Sequence, residues 1–335
     1  MKLSARIAAT ARPLAGDIAA AEKAHSDEVF LFMPTSDMRL TQTLGISRQQ
    51  AAVLFQRGAE DVVGRGMGLN LVFEDATRAD PRLLISMARE IMRHVTVQRV
   101  VICDTVGCAY PGAMERLITQ LRAALENSVA LCTHCHNDFG LAVANTLAAV
   151  AAGARAITCT VNGIGERAGN ADLAETVAAL THLYDVRHGV DPKSLPVLSD
   201  RVERMSGLHT SPTKPVTGFN VYRHESGVHV DGMLKDARSY EFLPSAWIGR
   251  ETEYVLGKHS GTALVKHLMQ KEGLPPDVSL AQELLAHVKD STQQRTKVAH
   301  ERAFASVREF RQRHLSGIDP AGLMARALPA AEEAS

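Results

Sequence analysis

The chain has 335 residues, its 37 lysines and arginines balance its 37 aspartates and glutamates, and 45% of its residues are hydrophobic. This length suits one large or two ordinary globular domains, and the balanced charge argues against a nucleic-acid scaffold or a polybasic membrane binder. The chain lacks an apolar run of about 18 residues, a secretory signal and an even cysteine framework, so we expect a cytoplasmic protein that binds neither membrane nor nucleic acid.

Short apolar runs predict strands that alternate with helices along the first half of the chain. The predicted strands are a weaker one at 2–9 and clearer ones at 28–33, 69–73, 99–103, 129–136 and 156–161. The predicted helices are 47–64, 81–94, 111–126, 141–152 and 170–183. A strand recurs about every 30 residues, so these units predict a parallel α/β fold. This period alone leaves open an open doubly wound sheet and a (β/α)8 barrel.

The composition changes after Tyr184. Prolines concentrated between 185 and 219 predict a connector with a short helix at 198–206, and a helical stretch follows at 281–314. We therefore divide the chain into a first α/β domain at 1–185, a connector at 186–219 and a mainly helical C-terminal region at 220–335.

The sequence Leu-Cys-Thr-His-Cys-His-Asn-Asp carries the strongest chemical signal. Alternate residues of a strand share a face, so His134 and His136 point the same way and are spaced to share one divalent metal ion. The pair ends a predicted parallel strand, where α/β proteins collect their ligands. A purely structural His-x-His pair remains the alternative at this point. Cys132 and Cys135 lie on opposite faces of the strand, which argues against a zinc knuckle.

Three further predicted strand ends carry polar residues. They are the segments 74–78 (Glu-Asp-Ala-Thr-Arg), 104–107 (Asp-Thr-Val-Gly) and the glycine-rich 160–170. Each acid alone fits a helix cap. Acids, threonine and histidine at four successive strand ends instead match the way in which barrel enzymes build their sites.

At these motifs the sequence resembles the isopropylmalate synthase and homocitrate synthase family, with homocitrate synthases closest in motif. The matching segments are 134–175, 74–78, 104–107, 224–232 and 256–261. The resemblance implies a (β/α)8 TIM barrel followed by a helical subdomain, and a cytoplasmic enzyme of amino-acid biosynthesis. It further implies that a metal-dependent reaction condenses acetyl-CoA with a 2-oxo acid and then hydrolyses the thioester.

The resemblance also implies which residues bind metal and substrate. His134, His136 and Asn170 match ligands of a divalent metal, which is Mg, Mn or Zn. Arg12 and Thr105 match residues that contact the 2-oxo acid.

Three more positions match catalytic residues of the family. Glu74 matches an active-site carboxylate. His229 and Tyr240 match a histidine and a tyrosine that a partner subunit inserts into the site, which implies a homodimer whose His229 acts in trans.

The sequence departs from the family at its start. The family's first strand carries an Asp-Arg-Glu motif with a metal-ligand aspartate, and this chain instead starts at what resembles the third strand. We therefore expect about 60 residues, or two βα units, to be missing. A start site upstream of Met1 is the favoured explanation, and a fragment without catalysis, which at most binds a metal or a full-length partner, is the other.

The acceptor is predicted from two features. Val230 resembles homocitrate synthases, where isopropylmalate synthases usually carry glutamine, and little chain remains after 314 for a regulatory domain. Both favour 2-oxoglutarate as the acceptor and homocitrate as the product. A 2-isopropylmalate synthase, an enzyme for a phosphono or phosphino analogue, and a lyase of the hydroxymethylglutaryl-CoA type are the alternatives.

Overall fold

Six parallel strands form the central sheet of the computed structural model, which describes residues 4–125, 129–293 and 297–314. The strands are β1 (Ala8–Ala11), β2 (Glu28–Pro34), β3 (Gly68–Glu74), β4 (Arg99–Asp104), β5 (Ala130–Cys135) and β6 (Ala156–Ile157). They pair in chain order and every pair is parallel. A doubly wound sheet reverses its strand order at a switch point, so the sequential order identifies the wall of a barrel. The predicted α/β fold is confirmed.

Helices connect the strands. The helices of this part are α1 (Ala15–Lys23), α2 (Arg48–Gly64), α3 (Pro81–His94), α4 (Pro111–Leu125), α5 (Ala142–Ala151) and α6 (Leu173–His182), followed by α7 (Leu195–Ser206). Helix α1 was not predicted because it buries only Ile18 and Ala21, which gives the sequence a weak apolar period. Among the described residues, β1 pairs only with β2 and β6 only with β5, so the sheet has two free edges.

Local signals explain where the helices begin. Helix α2 starts with a capping box: the Ser47 hydroxyl accepts from the Gln50 amide at 3.2 Å, and Gln50 Oε1 accepts from the Ser47 amide at 2.8 Å. Helix α3 has Pro81 in its first turn and Asp80 as its cap. Its buried face follows the helical period and consists of Leu84, Met87, Ala88 and Ile91.

The two faces of the sheet have different roles. On the helix-facing side, Leu31, Leu71 and Ile102 are fully buried, and Phe73 packs edge-to-face on Phe55 of α2 with ring centroids 5.7 Å apart. The alternate residues of each strand point to the barrel interior. Because the side chains alternate, polar residues can occupy the interior face of the sheet while the other face stays apolar against the helices.

At the amino ends of the strands the interior is closed by a polar network. Glu28 Oε2 accepts from Asn70 Nδ2 at 3.1 Å and from Arg99 Nη1 at 2.8 Å. Arg99 Nη1 also donates to Asn70 Oδ1 at 2.9 Å. Asn70 and Glu28 are both buried, so these bonds satisfy groups that would otherwise be costly to bury.

Strand β6 and helix α6 are shorter than predicted at the two ends that the same loop connects. Strand β6 ends at Ile157 and not at 161, because the Thr160 amide donates to Ala171 O at 3.0 Å and pairs with the returning chain. Helix α6 begins at Leu173 and not at 170, because Asp172 is its cap and accepts from the Glu175 amide at 2.9 Å. Both differences arise from a loop that folds back on the carboxyl end of β5.

The chain forms two compact units, one of residues 1–202 and 215–217 and one of residues 203–214 and 218–335. The predicted domain division at 185 and 219 stays a prediction. The second unit contains β7 (Arg223–His224), α8 (Gly227–Lys235), β8 (Glu253–Tyr254), α9 (Thr262–Lys271), α10 (Val278–Gln293) and α11 (Lys297–His314). Strands β7 and β8 are parallel. A buried cluster of Val265, Met269 and Ala281 joins α9 to α10.

Parts of three predicted elements lie outside the described residues: 2–3 of the first strand, 126 of the helix at 111–126, and 294–296 of the stretch at 281–314. None of the helices within the described ranges combines the length and the hydropathy that a membrane crossing requires.

Candidate metal and substrate site

His134 and His136 meet at the carboxyl end of β5. Their Nε2 atoms are 3.3 Å apart and their ring centroids are 5.0 Å apart. Two nitrogen ligands at about 2.1 Å from one metal, at the angles of tetrahedral or octahedral sites, lie roughly 3.0–3.4 Å from each other. The spacing of the two nitrogens therefore fits a shared metal ion.

Hydrogen bonding fixes the tautomer of His134. The Thr158 hydroxyl donates to Thr133 O at 3.1 Å, so its oxygen accepts from His134 Nδ1 at 2.8 Å. With the proton on Nδ1, the Nε2 atom is unprotonated and its lone pair points towards His136. A second hydrogen bond of this kind is the usual way in which proteins orient a metal-binding imidazole.

Burial keeps both imidazoles neutral. It lowers the pKa of His134 to about 4, with a smaller contribution from His136. Burial also lowers the pKa of His136, followed by the positive charge of Arg167. A neutral imidazole is the form that binds metal, so the pair needs no deprotonation at neutral pH.

Asn170 is the third polar group at the pair. Its Nδ2 atom donates to His134 Nε2 at 3.2 Å, and a half-turn of the amide presents Oδ1 there instead. Its amide packs on the backbone of Gly165, where an added Cβ would lie 1.8 Å from Asn170 Oδ1. Gly165 is thus required for Asn170 to reach the histidines, and this explains a glycine of the 160–170 motif.

The donor set fits a divalent metal that accepts imidazole and amide ligands. In the described ranges no three His, Cys, Asp or Glu side chains are grouped to hold a metal. The candidate ligands are therefore the two imidazoles with the Asn170 amide, and substrate or water oxygens would complete the coordination.

A cavity of about 490 Å³ opens beside the histidines. Its wall combines polar groups from the strand ends with apolar side chains from the barrel interior. The lining residues are Thr10, Phe30, Phe32, Arg39, Val72, Glu74, Val101, Cys103, Thr105, His134, His136 and Thr158. Four of the predicted site residues, Glu74, Thr105, His134 and His136, therefore share one cavity.

Glu74 is paired with an arginine that sequence reasoning missed. Arg39 Nη2 donates to Glu74 Oε1, and Arg39 lies 35 residues earlier in the chain, at the start of a short π-helical segment, Arg39–Leu44. Burial raises the pKa of Glu74, Arg39 opposes this shift, and Asp75 adds to it. The sequence does carry a signal for Arg39, the run Thr-Ser-Asp-Met-Arg after β2. This run is a fifth polar strand end, in addition to the ends of β3, β4, β5 and β6.

Thr105 is held by the neighbouring strand end. Its Oγ1 atom accepts from the Asp75 amide at 2.8 Å. Its carbonyl oxygen accepts from Arg167 Nη2 at 2.7 Å, and Arg167 also pairs in bidentate fashion with Asp138 at 2.8 and 2.9 Å. Arg167 thereby ties the loop after β6 to the ends of β4 and β5, and it adopts a positive φ of 57° to do so.

Arg12 is not brought to this cavity. It follows β1 on the same face as Thr10, which lines the cavity, but its guanidinium binds Asp17 at 2.7 and 3.0 Å. The Arg12 side chain is 59% exposed. The predicted contact between Arg12 and the 2-oxo acid stays a prediction.

His229 and Tyr240 lie together in the second unit. Their rings stack with centroids 4.3 Å apart and an angle of 27° between planes, and both side chains are exposed. A Cβ on Gly232 would lie 2.7 Å from the Tyr240 ring, so this glycine gives the ring its place beside the helix.

Solved structures resemble the barrel wall. A hydroxymethylglutaryl-CoA lyase from Pseudomonas aeruginosa superimposes with a TM-score of 0.55 at 22% identity, covering 62% of this chain and 72% of that one. The Bacillus subtilis enzyme of the same name gives 0.55 at 19% identity, covering 64% and 74%. At these identities the likeness concerns the fold, and it agrees with the sequential parallel sheet.

Sequence relatives share a higher percentage of identical residues with this chain than these solved structures do. A homocitrate synthase of Methanopyrus kandleri is 36% identical over 318 residues, which is 95% of this chain and 79% of that protein. A sequence assigned as an (R)-citramalate synthase and one assigned as a 2-isopropylmalate synthase, both from the same organism, are 38% and 40% identical over 86% of this chain. The chain spans only 56% and 57% of the lengths of these two relatives.

Two family models match successive parts of the chain. The HMGL-like model matches residues 1–202, and the model for the homocitrate synthase post-HMGL domain matches residues 216–296. The predicted family is thereby confirmed: the chain belongs to the HMGL-like family, together with the homocitrate, citramalate and isopropylmalate synthases.

Proposed function

We propose that this protein is a metal-dependent acyltransferase that condenses acetyl-CoA with a 2-oxo acid and hydrolyses the resulting thioester. The observation that carries the proposal is the cavity in which a neutral histidine pair faces a carboxylate of raised pKa, Glu74, and the hydroxyl of Thr105. The names of the relatives, which are synthases of homocitrate, citramalate and isopropylmalate, support the same reaction class.

His134, His136 and Asn170 would hold the divalent metal. When bound, the metal supplies a positive charge that polarises the carbonyl group of the 2-oxo acid. The role of the two imidazoles is to stay neutral and fixed in orientation, which burial and the Thr158 hydroxyl favour. Asn170 contributes a neutral oxygen, so the site keeps a positive charge for an anionic acceptor.

Glu74 is the group we assign to proton transfer. A carboxylate whose pKa is raised is a better base for the methyl protons of acetyl-CoA than an ordinary one, because its affinity for a proton is higher. Arg39 holds the carboxylate in one orientation within the cavity. Removal of the proton gives an enolate whose methylene carbon attacks the ketone carbon of the acceptor.

His229 and Tyr240 are proposed to act from a second subunit. Both rings are exposed and stacked on one another, which suits a pair that enters another site. Their assigned role is acid–base work on the forming alcohol, and the proposed assembly is a homodimer. The proposed location is the cytoplasm.

CoA release tests the function. The full-length protein should release CoA thiol from acetyl-CoA only when both a divalent metal and a 2-oxo acid are present. Glu74→Gln should lower the turnover rate by at least about a hundredfold, within the usual range for a general base, and leave metal affinity unchanged. CoA release with no acceptor in a panel of 2-oxo acids would contradict the proposal. Cleavage of 3-hydroxy-3-methylglutaryl-CoA would indicate a lyase instead.

A further inference from the structure

The interior wall of the cavity is apolar beside the histidine pair. Strand register places Phe32 opposite Val72, Val72 opposite Val101, and Cys103 opposite His134. Phe30 packs on the same cluster one layer deeper. A continuous apolar surface therefore runs across β2, β3 and β4 to the atoms that would bind the acceptor.

Charged groups in the cavity are already paired. Among the described lining residues, Arg39 and Glu74 are the charged ones, and they form an ion pair with each other. Arg12 outside the cavity is held by Asp17, and Arg78 is held by the buried Asp75. On the described wall of the cavity, a second carboxylate on the acceptor would lie against phenylalanine and valine or displace Glu74 from Arg39. A buried carboxylate without a partner is strongly disfavoured, whereas an apolar group gains from the same surface.

We infer that the acceptor is a 2-oxo acid with one carboxylate and a short apolar side chain, and not a 2-oxo dicarboxylate. This inference rests on the proposed function, since it names the acceptor class of that same site. The carboxylate and ketone lie at the histidine pair, and the apolar side chain packs on Phe32 and Val72. The acceptor class differs from the 2-oxoglutarate that the sequence predicts.

The sequence feature that favours 2-oxoglutarate has a packing explanation. Val230 is completely buried on the inner face of α8, within the second unit. The apolar core around that position is sufficient to favour a valine there, so Val230 does not require 2-oxoglutarate as the acceptor.

Acceptor binding tests the inference without catalysis. Isothermal titration calorimetry on the full-length protein with Mn²⁺, and without acetyl-CoA, should give a Kd for 2-oxoisovalerate at least about tenfold lower than that for 2-oxoglutarate. Equal or tighter binding of 2-oxoglutarate would overturn the inference, and so would binding of neither acid.

Two matched phenylalanine variants test whether the wall at Phe32 causes the preference for 2-oxoisovalerate. Phe32→Arg adds a cation to the wall, so the preference for 2-oxoisovalerate should fall by about tenfold or more. Phe304→Arg makes the same change on an exposed face of α11 and should leave the preference unchanged. A folded Phe32→Arg protein with the wild-type preference would overturn the inference. If this variant does not fold, the Kd values of the two acids for the wild-type protein still test the inference.

Arg39→Gln tests the competing arrangement. Under our inference it changes the affinities of 2-oxoisovalerate and 2-oxoglutarate by similar factors, because neither acid uses Arg39 directly. A selective loss of 2-oxoglutarate binding would assign Arg39 to a second carboxylate and overturn the inference.

CoA release separates the inference from the proposed function. If 2-oxoisovalerate binds preferentially but no acceptor causes CoA release, the reaction is wrong and the acceptor class stands. If CoA is released fastest with 2-oxoglutarate, the reaction stands and the acceptor class is wrong.

Discussion

The side chain of His134 combines three properties that suit a metal ligand. Its Nδ1 proton is engaged by Thr158, its Nε2 atom faces His136 at 3.3 Å, and its surroundings keep it neutral. Each of these properties favours metal binding, and each comes from a different neighbour.

Removal of His134 should abolish tight metal binding. His134→Ala deletes one of few ligands, so the metal Kd should rise by more than the roughly 10–100-fold that outer-shell changes cost. The measurement is calorimetric titration with Mn²⁺ or Zn²⁺, together with metal content after dialysis. His94→Ala, on the half-exposed end of α3, is the matched control and should bind metal like the wild type. Unchanged metal content in His134→Ala would refute the ligand assignment.

At the scale of elements, the loop after β6 depends on Arg167. The guanidinium reaches Asp138 beyond β5 and Thr105 beyond β4, and the Asn137 amide donates to Gly169 O at 2.9 Å. These bonds fix the loop that carries Asn170 relative to the histidine pair.

Arg167→Lys should weaken metal binding about tenfold, as expected for an outer-shell change. The substitution keeps the positive charge but loses the fork that binds Asp138 with two bonds, so the effect reports loop position and not charge. Calorimetric metal titration gives the measurement. Arg93→Lys, an exposed surface pair with Glu90, is the control. Equal metal affinity in both variants would show that the loop holds its place without Arg167.

The polar network of Glu28, Asn70 and Arg99 makes the folding stability of the sheet depend on pH. Burial disfavours the charged form of Glu28, but hydrogen bonds from Asn70 and Arg99 and the charges of Arg99 and Arg6 outweigh it, so the pKa lies below its ordinary value of 4.5. The unfolded state therefore binds this proton more readily, and the stabilisation present above pH 4.5 is lost as the pH falls through the lowered pKa.

Glu28→Gln should therefore lower the free energy of unfolding at neutral pH by about 1–3 kcal/mol. The loss of stability between pH 4.5 and lower values should also become smaller than in the wild type. Urea unfolding at several pH values measures both effects, and the exposed Glu60→Gln on α2 is the control. A variant whose stability changes with pH like the wild type would exclude Glu28 as the source.

At the scale of the whole molecule, we propose that one catalytic centre uses side chains of two subunits. The histidine pair lies in the first unit and the stacked His229–Tyr240 pair in the second. The resemblance to the family assigns the second pair to the site of a partner subunit.

Mixing two inactive variants tests this arrangement. His134→Ala lacks a metal ligand and His229→Ala lacks the proposed trans histidine, so each alone should be inactive. In a symmetric dimer, random exchange of subunits restores one intact site in about half of the dimers, which gives up to about a quarter of wild-type CoA release. Light scattering checks that the dimers form. Mixed dimers without activity would place His229 in the site of its own subunit.

The local pattern of the sequence predicted much of the fold. Four strands, β2 to β5, and four helices, α2 to α5, were predicted close to their observed bounds, because apolar periodicity acts over a few residues at a time. The same period placed His134 and His136 on one face. It could not predict α1, which buries only Ile18 and Ala21 and so has a weak apolar period, or the early end of β6, which depends on pairing with residues 170–172.

The sequence by itself thus determined the α/β architecture, the histidine pair and the family. Tertiary structure decided that Arg39, 35 residues distant, meets Glu74, that Arg12 turns to Asp17, and that an apolar wall faces the histidines. The reason is physical: periodicity specifies which face a side chain occupies, whereas partners across the barrel are brought together only when separate strands align in register.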